Sequence, residues 1–164
     1  MNKKGFTLIE LLSVVAIMAI LAVVVFVALD PLKRFQDSRD SVRWQQVSEL
    51  LNALKLDQLY HGGAYLPVVA SMGTSTGVYM IGTDVSGCNN YNDNCRTAVS
   101  GSTACVNLRG LVDRGYLSSV PVSSNGTGNW NGGHSGYTLQ VDPHGAVFIR
   151  ACENEDSPEI VLSR

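Results

Sequence analysis

The sequence lacks every motif that would indicate a known catalytic centre. It has no phosphate-binding loop, no dinucleotide-binding glycine pattern, no metalloprotease signature and no nucleophile elbow built on serine or cysteine. Its three histidines, His61, His134 and His144, each stand beside glycine or proline, which predicts solvated positions in turns. We therefore expect no catalytic residues and no cofactor, and the sequence predicts that the protein is not an enzyme.

Positive charge is also scarce, and lysine is absent beyond Lys55. The formal net charge of −2 and the isoelectric point near 5.8 leave no basic footprint of the kind that binds nucleic acid. Nucleic acid is therefore not expected as a partner. The distal part of the chain is rich in Gly, Ser, Thr and Asn, a composition that suits an exposed domain with many loops.

Charged residues are missing from one long stretch near the amino terminus. No charge occurs between Glu10 and Asp30, and Ser13 is the one polar residue in the run 11–29. A helix over this run would span roughly 28 Å at about 1.5 Å per residue, close to the ~30 Å hydrocarbon thickness of a bilayer. The run also lacks the small-residue cleavage site that ends a secretory signal peptide. The sequence therefore predicts a membrane span.

A specific pattern precedes this span. Residues 3–10, KKGFTLIE, place two lysines, Gly5, an aromatic residue and Glu10 directly at the start of the apolar segment. The pattern resembles the processing motif of type IV pilins and of the related pseudopilins of type II secretion and competence systems. The resemblance implies an α+β, type IV pilin-like fold, in which a long N-terminal helix, half membrane span and half amphipathic, packs on a small antiparallel sheet.

The resemblance also implies roles for three residues. A prepilin peptidase would remove the leader 1–5 by cutting after Gly5, which fits a narrow subsite, and Phe6 would become the N-methylated amino terminus of the assembly helix 6–29. Glu10 would pair with the positive amine of a neighbouring subunit, because a lone carboxylate in lipid costs at least a few kcal/mol. The implied partners are other copies of the chain, minor pilins and the pilus assembly machinery in the membrane. The implied location is the cytoplasmic membrane, with the head outside, and then an extracellular pilus.

Alternatives remain open at this level. The motif does not separate a surface pilin from a pseudopilin of a secretion or DNA-uptake system. A signal-anchored surface binding module would keep the apolar run without polymerising, and Glu10 would then be an interfacial residue that reaches the headgroups. Orientation does not follow from charge, because basic residues flank both ends of the span. They are Lys3 and Lys4 on one side and Lys33, Arg34, Arg39 and Arg43 on the other.

The helix is predicted to continue over residues 30–61 as an amphipathic segment. Asp30-Pro31 either starts a new helix or kinks a continuous one, since proline is well placed in a first turn. Apolar residues recur at helical spacing from residue 32 onward, which predicts a stripe that packs on a sheet, and Gly62 and Gly63 end the helix. The stripe consists of Leu32, Phe35, Val42, Val47, Leu50, Leu51 and Leu54. The residues predicted to be solvated or to face other subunits are Asp37, Arg39, Asp40, Arg43, Gln45, Gln46 and Glu49.

Residues 62–164 are predicted to form the extracellular head. A hairpin is expected from residues 137–141 and 146–150 around the turn 142–145, with a short strand at 78–81. The loop 125–136 around Trp130 is predicted to lie outside the core. Its first three residues, Asn125-Gly126-Thr127, match a glycosylation sequon. Residues 160–162 either add an edge strand or stay mobile.

Four cysteines, Cys88, Cys95, Cys105 and Cys152, lie beyond the span and predict two disulfides in an oxidising compartment. A small loop closed between Cys88 and Cys95 is favoured, with Cys105 bridged to Cys152, although the sequence does not fix the pairing. Calcium in the Asn/Asp-rich loop 87–95 stays an alternative, but this loop lacks the ordered alternation and the terminal glutamate of a calcium loop. Zinc is disfavoured because no C-x-x-C pair is present, and no metal ligand is assigned.

Overall fold

The computed structural model describes residues 5–72, 77–124, 126–155 and 159–164, with the backbone alone described for Asn92. The chain divides into two compact units, Met1–Gln36 and Asp37–Arg164, named here the N-terminal unit and the C-terminal unit. Residues 1–4 of the predicted leader and Asn125 of the sequon lie outside the described residues.

The N-terminal unit is built on helix α1, Leu8–Leu29, which has no buried residue. The helical stretch Leu8–Tyr60 contains one segment long and apolar enough to cross a membrane, and none of that segment is buried. A helix that is apolar on all sides needs an apolar medium around it. The segment therefore fits the membrane span that the sequence predicts.

Asp30 separates α1 from helix α2, Pro31–Tyr60. The Asp30 backbone is left-handed, with φ 35° and ψ 69°, a conformation that ends α1. Its Oδ1 accepts the backbone N–H of Lys33 at 3.4 Å, and Pro31 needs no partner in the first turn because it has no N–H. Of the two possibilities for Asp30-Pro31, the structure shows the start of a new helix.

The C-terminal unit contains a four-stranded antiparallel sheet in the order β1-β2-β3-β4. β2 and β3 form the expected hairpin, with Leu139 opposite Ile149, across a turn in which the Gly145 N–H donates to Asp142 O at 3.0 Å. Leu162 pairs with Ile149, so the last strand takes the edge position that the sequence left open. The strands are β1 Tyr79–Met80, β2 Tyr137–Val141, β3 Val147–Ala151 and β4 Val161–Ser163.

The apolar stripe of α2 packs on this sheet from Val47 onward, and the prediction is wrong for Leu32, Phe35 and Val42, which are exposed. Val47, Leu50 and Leu54 are fully buried and share one core with Leu139 and Ile149 of the sheet. Two short helices, α3 Pro67–Ala70 and α4 Arg109–Asp113, each add a buried apolar side chain to the same core. The predicted α+β fold, a long helix packed on a small antiparallel sheet, is confirmed.

The predicted glycine stop of α2 is also observed. Gly62 and Gly63 have positive φ angles of 65° and 92°. The Gly63 N–H donates to Gln58 O at 2.8 Å, which satisfies one of the carbonyl groups that the helix end leaves unpaired.

A second core cluster contains Trp130, so the prediction that the loop around Trp130 lies outside the core is wrong. The indole is buried, with 5% exposure. Its Nε1 donates to Glu153 Oε2 at 3.1 Å, and this bond satisfies the one polar atom of the ring. The other buried members of the cluster are Met80, Cys88, Cys95, Val99 and Cys152.

The predicted solvated face of α2 is wrong for Asp40 and Arg43, which are both buried. Arg43 Nη1 lies 2.7 Å from Asp40 Oδ1 and 3.2 Å from Glu155 Oε1. Arg43 Nη2 donates to Ser124 O at 3.2 Å, and the Glu155 N–H donates to Asp40 Oδ2 at 3.0 Å. Buried charges are tolerated when they are paired and hydrogen-bonded in this way. Glu155 stands 112 positions beyond Arg43, and helical periodicity does not reveal a partner at that separation.

Candidate functional site

The first turn of α1 is closed by a reciprocal pair, Thr7 and Glu10. Thr7 Oγ1 accepts the Glu10 backbone N–H at 3.3 Å, and Glu10 Oε2 accepts the Thr7 backbone N–H at 2.9 Å. The Thr7 hydroxyl also donates to Glu10 Oε2 at 2.7 Å. This arrangement is a capping box, and it satisfies two N–H groups that have no partner inside the helix.

The Glu10 carboxylate is held through one of its two oxygens. Both hydrogen bonds from Thr7 end on Oε2, and within the described part of the chain no group donates to Oε1. The Ser13 hydroxyl donates to Glu10 O at 2.9 Å, so the other polar side chain of the span is satisfied within the helix. The described residues therefore orient the carboxylate through Oε2 and provide no donor to Oε1.

Gly5 and Phe6 precede the cap and belong to no helix or strand. A Cβ atom built on Gly5 would meet no atom of the described residues within 4 Å, so contacts with these residues do not require glycine there. Phe6 is 85% exposed. Both residues are therefore accessible in the described part of the chain.

A comparison with family models falls on this same stretch. Residues 1–26 match the prokaryotic N-terminal methylation motif. The motif is characteristic of type IV pilins and pseudopilins, so the resemblance predicted from residues 3–10 is confirmed. No curated protein and no solved structure matches the chain.

The methylation motif implies processing by a prepilin peptidase and assembly into a multi-subunit filament. The apolar helix that follows the motif implies anchoring in a membrane. Because the match ends at residue 26, it covers the cap and most of α1 and does not extend to the C-terminal unit. By its amino terminus the chain is similar to the precursors of type IV pilins and pseudopilins.

The four cysteines form two disulfides, but the favoured pairing is wrong. The bridges join Cys88 to Cys105 and Cys95 to Cys152. Backbone hydrogen bonds bring each cysteine to its partner: the Cys88 N–H donates to Thr103 O at 2.8 Å, and the Arg96 N–H donates to Cys152 O at 3.1 Å. Residues Cys88–Asn94 form a 3₁₀ helix rather than the small closed loop that the spacing favours.

Metal ligands are not brought together in the parts of the chain that the structure describes. No group of three or more His, Cys, Asp or Glu side chains there is placed to hold a metal ion. The sulfur atoms of all four cysteines are bonded in disulfides, so no thiolate remains to bind zinc. These residues therefore give no support to the calcium or zinc alternatives.

The three histidines lie in different surroundings. The His144 side chain is 91% exposed and that of His61 is 42% exposed, as expected for turns. The prediction of a solvated position is wrong for His134, whose side chain is 12% exposed and whose ring stacks on Tyr91 with centroids 4.0 Å apart. His134 Nδ1 lies 2.9 Å from Asp84 Oδ2, and its Nε2 lies 3.0 Å from Asn131 Nδ2. The two ring nitrogens of His134 are therefore both in hydrogen-bond contact with loop side chains, those of Asp84 and Asn131.

Thr7 is the functional residue that sequence reasoning missed. A recognisable pattern was present, because threonine followed three residues later by glutamate at the start of an apolar run is the capping-box sequence. The pilin-type motif drew attention to Gly5, Phe6 and Glu10, whereas the hydrogen bonds show that Thr7 is what holds Glu10 in place.

Proposed function

We propose that the chain is the precursor of a structural subunit of a type IV pilus-like filament, cleaved after Gly5, methylated on Phe6 and polymerised through α1. One observation carries this proposal. A methylation motif begins an apolar helix without buried residues, and among the described residues no group donates to one of the two oxygens of the helix's single carboxylate. The role is structural rather than catalytic.

The helix α1 needs apolar surroundings before and after assembly. Its side chains are exposed all around the helix, so lipid would surround it in the membrane and copies of the same helix would surround it in a filament. Transfer from lipid to a helix bundle exchanges one apolar medium for another and supplies little driving force. The energy for extraction therefore comes from an assembly motor.

The Glu10 carboxylate fixes how neighbouring α1 helices align along their length, which non-directional apolar contacts do not fix. A charge in apolar surroundings is costly unless it is paired. Cleavage after Gly5 creates a positive amino group on Phe6, and the free Oε1 of Glu10 in a neighbouring copy accepts it. Because the pairing joins one defined point on each helix, it sets the stagger between subunits.

The deciding experiment replaces Glu10 with glutamine in the native host. Glutamine keeps the acceptor of the capping box but removes the charge. We expect normal processing, seen by mass spectrometry as a chain that starts at methylated Phe6, and a loss of at least about tenfold in sheared filaments. Asp113→Asn, which neutralises an exposed carboxylate on α4, is the matched control and should give the wild-type yield. Gly5→Val serves as the unprocessed reference, with an unshifted mass.

Each other outcome has a defined meaning. A normal filament yield with Glu10→Gln would contradict the pairing mechanism while leaving processing intact. A wild-type protein that retains residues 1–5 and forms no fibres would overturn the proposal in favour of a signal-anchored monomer. A short periplasmic assembly that depends on a secretin would assign the subunit to a pseudopilus instead of a surface pilus.

A further inference from the structure

The C-terminal unit contains a polar cleft of about 500 Å³ beside the Cys95–Cys152 disulfide. This volume falls within the range of small-molecule sites in proteins. Three arginines and three carboxylates line the cleft, so its formal charges balance. They are Arg39, Arg43, Arg96, Asp93, Glu153 and Glu155.

Two of the three carboxylates are fully engaged within the protein. Glu155 receives both Nε and Nη2 of Arg39, and Arg43 Nη1 lies 3.2 Å from its Oε1. Glu153 accepts the Thr127 hydroxyl at 2.6 Å and the Gly128 N–H at 2.8 Å, in addition to the Trp130 indole. These groups build the wall of the cleft and keep little hydrogen-bonding capacity for a ligand.

The other two charged residues that line the cleft are Arg96 and Asp93. The Arg96 backbone is fixed by its hydrogen bond to Cys152 O, next to the disulfide, and its side chain is exposed. Throughout residues 5–72, 77–124, 126–155 and 159–164, neither the Arg96 guanidinium nor the Asp93 carboxylate has a hydrogen bond or an ion pair. The side-chain amide of Asn94 also lines the cleft, 3.2 Å from the Thr127 hydroxyl that donates to Glu153.

We propose that this cleft binds a hydroxylated carboxylate, the chemistry of a uronic acid. The guanidinium of Arg96 matches a carboxylate with two parallel hydrogen bonds, and the Asp93 carboxylate accepts hydroxyl groups of the same ligand. A singly charged ligand suits the cleft better than a phosphate, because Glu153 in the wall has only neutral donors around it and would repel a second negative charge.

The test uses the full chain in detergent micelles and saturation-transfer NMR with D-galacturonate as the probe. D-galactose, which has the hydroxyls but no carboxylate, is the neutral comparison. We expect saturation transfer to galacturonate and binding at least about tenfold weaker for galactose, since a hydrogen bond to a charged group is lost. No transfer to galacturonate, or equal binding of both sugars, would overturn the proposal.

Variants then locate the site. Arg96→Ala should weaken galacturonate binding at least about tenfold, and Asp93→Asn should weaken it less, because an amide oxygen still accepts a hydroxyl. Arg109→Ala is the matched control, since Arg109 is an exposed arginine outside this cleft and should leave binding unchanged.

Trigalacturonate separates two sources of the ligand: tighter binding than the monomer indicates a polysaccharide, and equal binding indicates a free sugar acid. Unchanged galacturonate binding by Arg96→Ala, in a variant with wild-type tryptophan fluorescence, would overturn the assignment.

Discussion

The two units of this protein differ in where their stabilising contacts come from. In the N-terminal unit, α1 has no buried residue, and the side chains of Thr7, Glu10 and Ser13 form hydrogen bonds at the start of the helix itself. In the C-terminal unit, α2 and the sheet enclose a continuous core, to which an internal ion-pair network and two disulfides are added. The apolar surface of α1 therefore needs an apolar environment around it, whereas the C-terminal unit buries its apolar side chains within itself. Adjacent residues at the start of α1 match a short motif, whereas no comparison matches the C-terminal unit.

The same substitution, made once in each unit, tests whether the two units differ in their contribution to stability. Leu50→Ala removes a fully buried core side chain and should lower the free energy of unfolding of the C-terminal unit by about 2–5 kcal/mol. Leu21→Ala makes the same change in α1, where Leu21 is 58% exposed, and should change that free energy by less than about 0.5 kcal/mol. Both tryptophans, Trp44 and Trp130, lie in the C-terminal unit, so denaturant titration followed by their fluorescence measures the relevant transition. Equal losses in the two variants would show that α1 contributes to the same cooperative unit.

The sequence predicted those parts of the fold that depend on local pattern. Helical spacing places Val47, Leu50 and Leu54 in the core, alternation and turn residues predict the hairpin of β2 and β3, and paired glycines end α2. The processing motif was recognisable for the same reason, because its residues are adjacent and their order alone carries the information.

Features that depend on residues far apart in the chain were not predictable. Arg43 has the spacing of a solvated residue, and its burial depends on Glu155 and on the carbonyl of Ser124. Trp130 lies in a polar loop and is buried because Glu153 accepts its N–H. The disulfide pairing follows strand and loop contacts that place Cys95 beside Cys152 and not beside the cysteine that is nearer in sequence.

A second prediction uses pH, which should affect the C-terminal unit through a group that α1 lacks. Burial raises the pKa of Tyr137 from 10 to about 12, and its hydroxyl donates to Gln46 Oε1. The folded state therefore favours the neutral phenol, and this contribution is complete below pH 10 and is lost as the pH rises through about 12. Over that window the wild type should lose about 2–3 kcal/mol of unfolding free energy that Tyr137→Phe does not lose.

The measurement for Tyr137 is a series of denaturant titrations between pH 9 and 12, an interval of about three units around its expected titration. Tyr60→Phe is the control, since Tyr60 is 72% exposed, and it should follow the wild-type curve. A Tyr137→Phe curve that falls in parallel with the wild type would show that other groups cause the alkaline loss.

The smallest expected effect separates the two disulfides, which both lie in the C-terminal unit but close loops of different length. The sequence separation is 57 for Cys95–Cys152 and 17 for Cys88–Cys105. If each bridge acts mainly by restricting the unfolded chain, removing the bridge that closes the longer loop should lower the free energy of unfolding by about 1 kcal/mol more than removing the other bridge. The comparison uses the double variants Cys95→Ala/Cys152→Ala and Cys88→Ala/Cys105→Ala, both followed by tryptophan fluorescence. An equal or reversed order would mean that contacts in the folded state, and not loop length, determine how much each bridge stabilises the unit.

The segment after Cys152 contains two carboxylates with partners in the core: Glu153 accepts the Trp130 N–H, and Glu155 pairs with Arg43. A difference well above about 1 kcal/mol would show that the Cys95–Cys152 bridge also holds these two carboxylates in place.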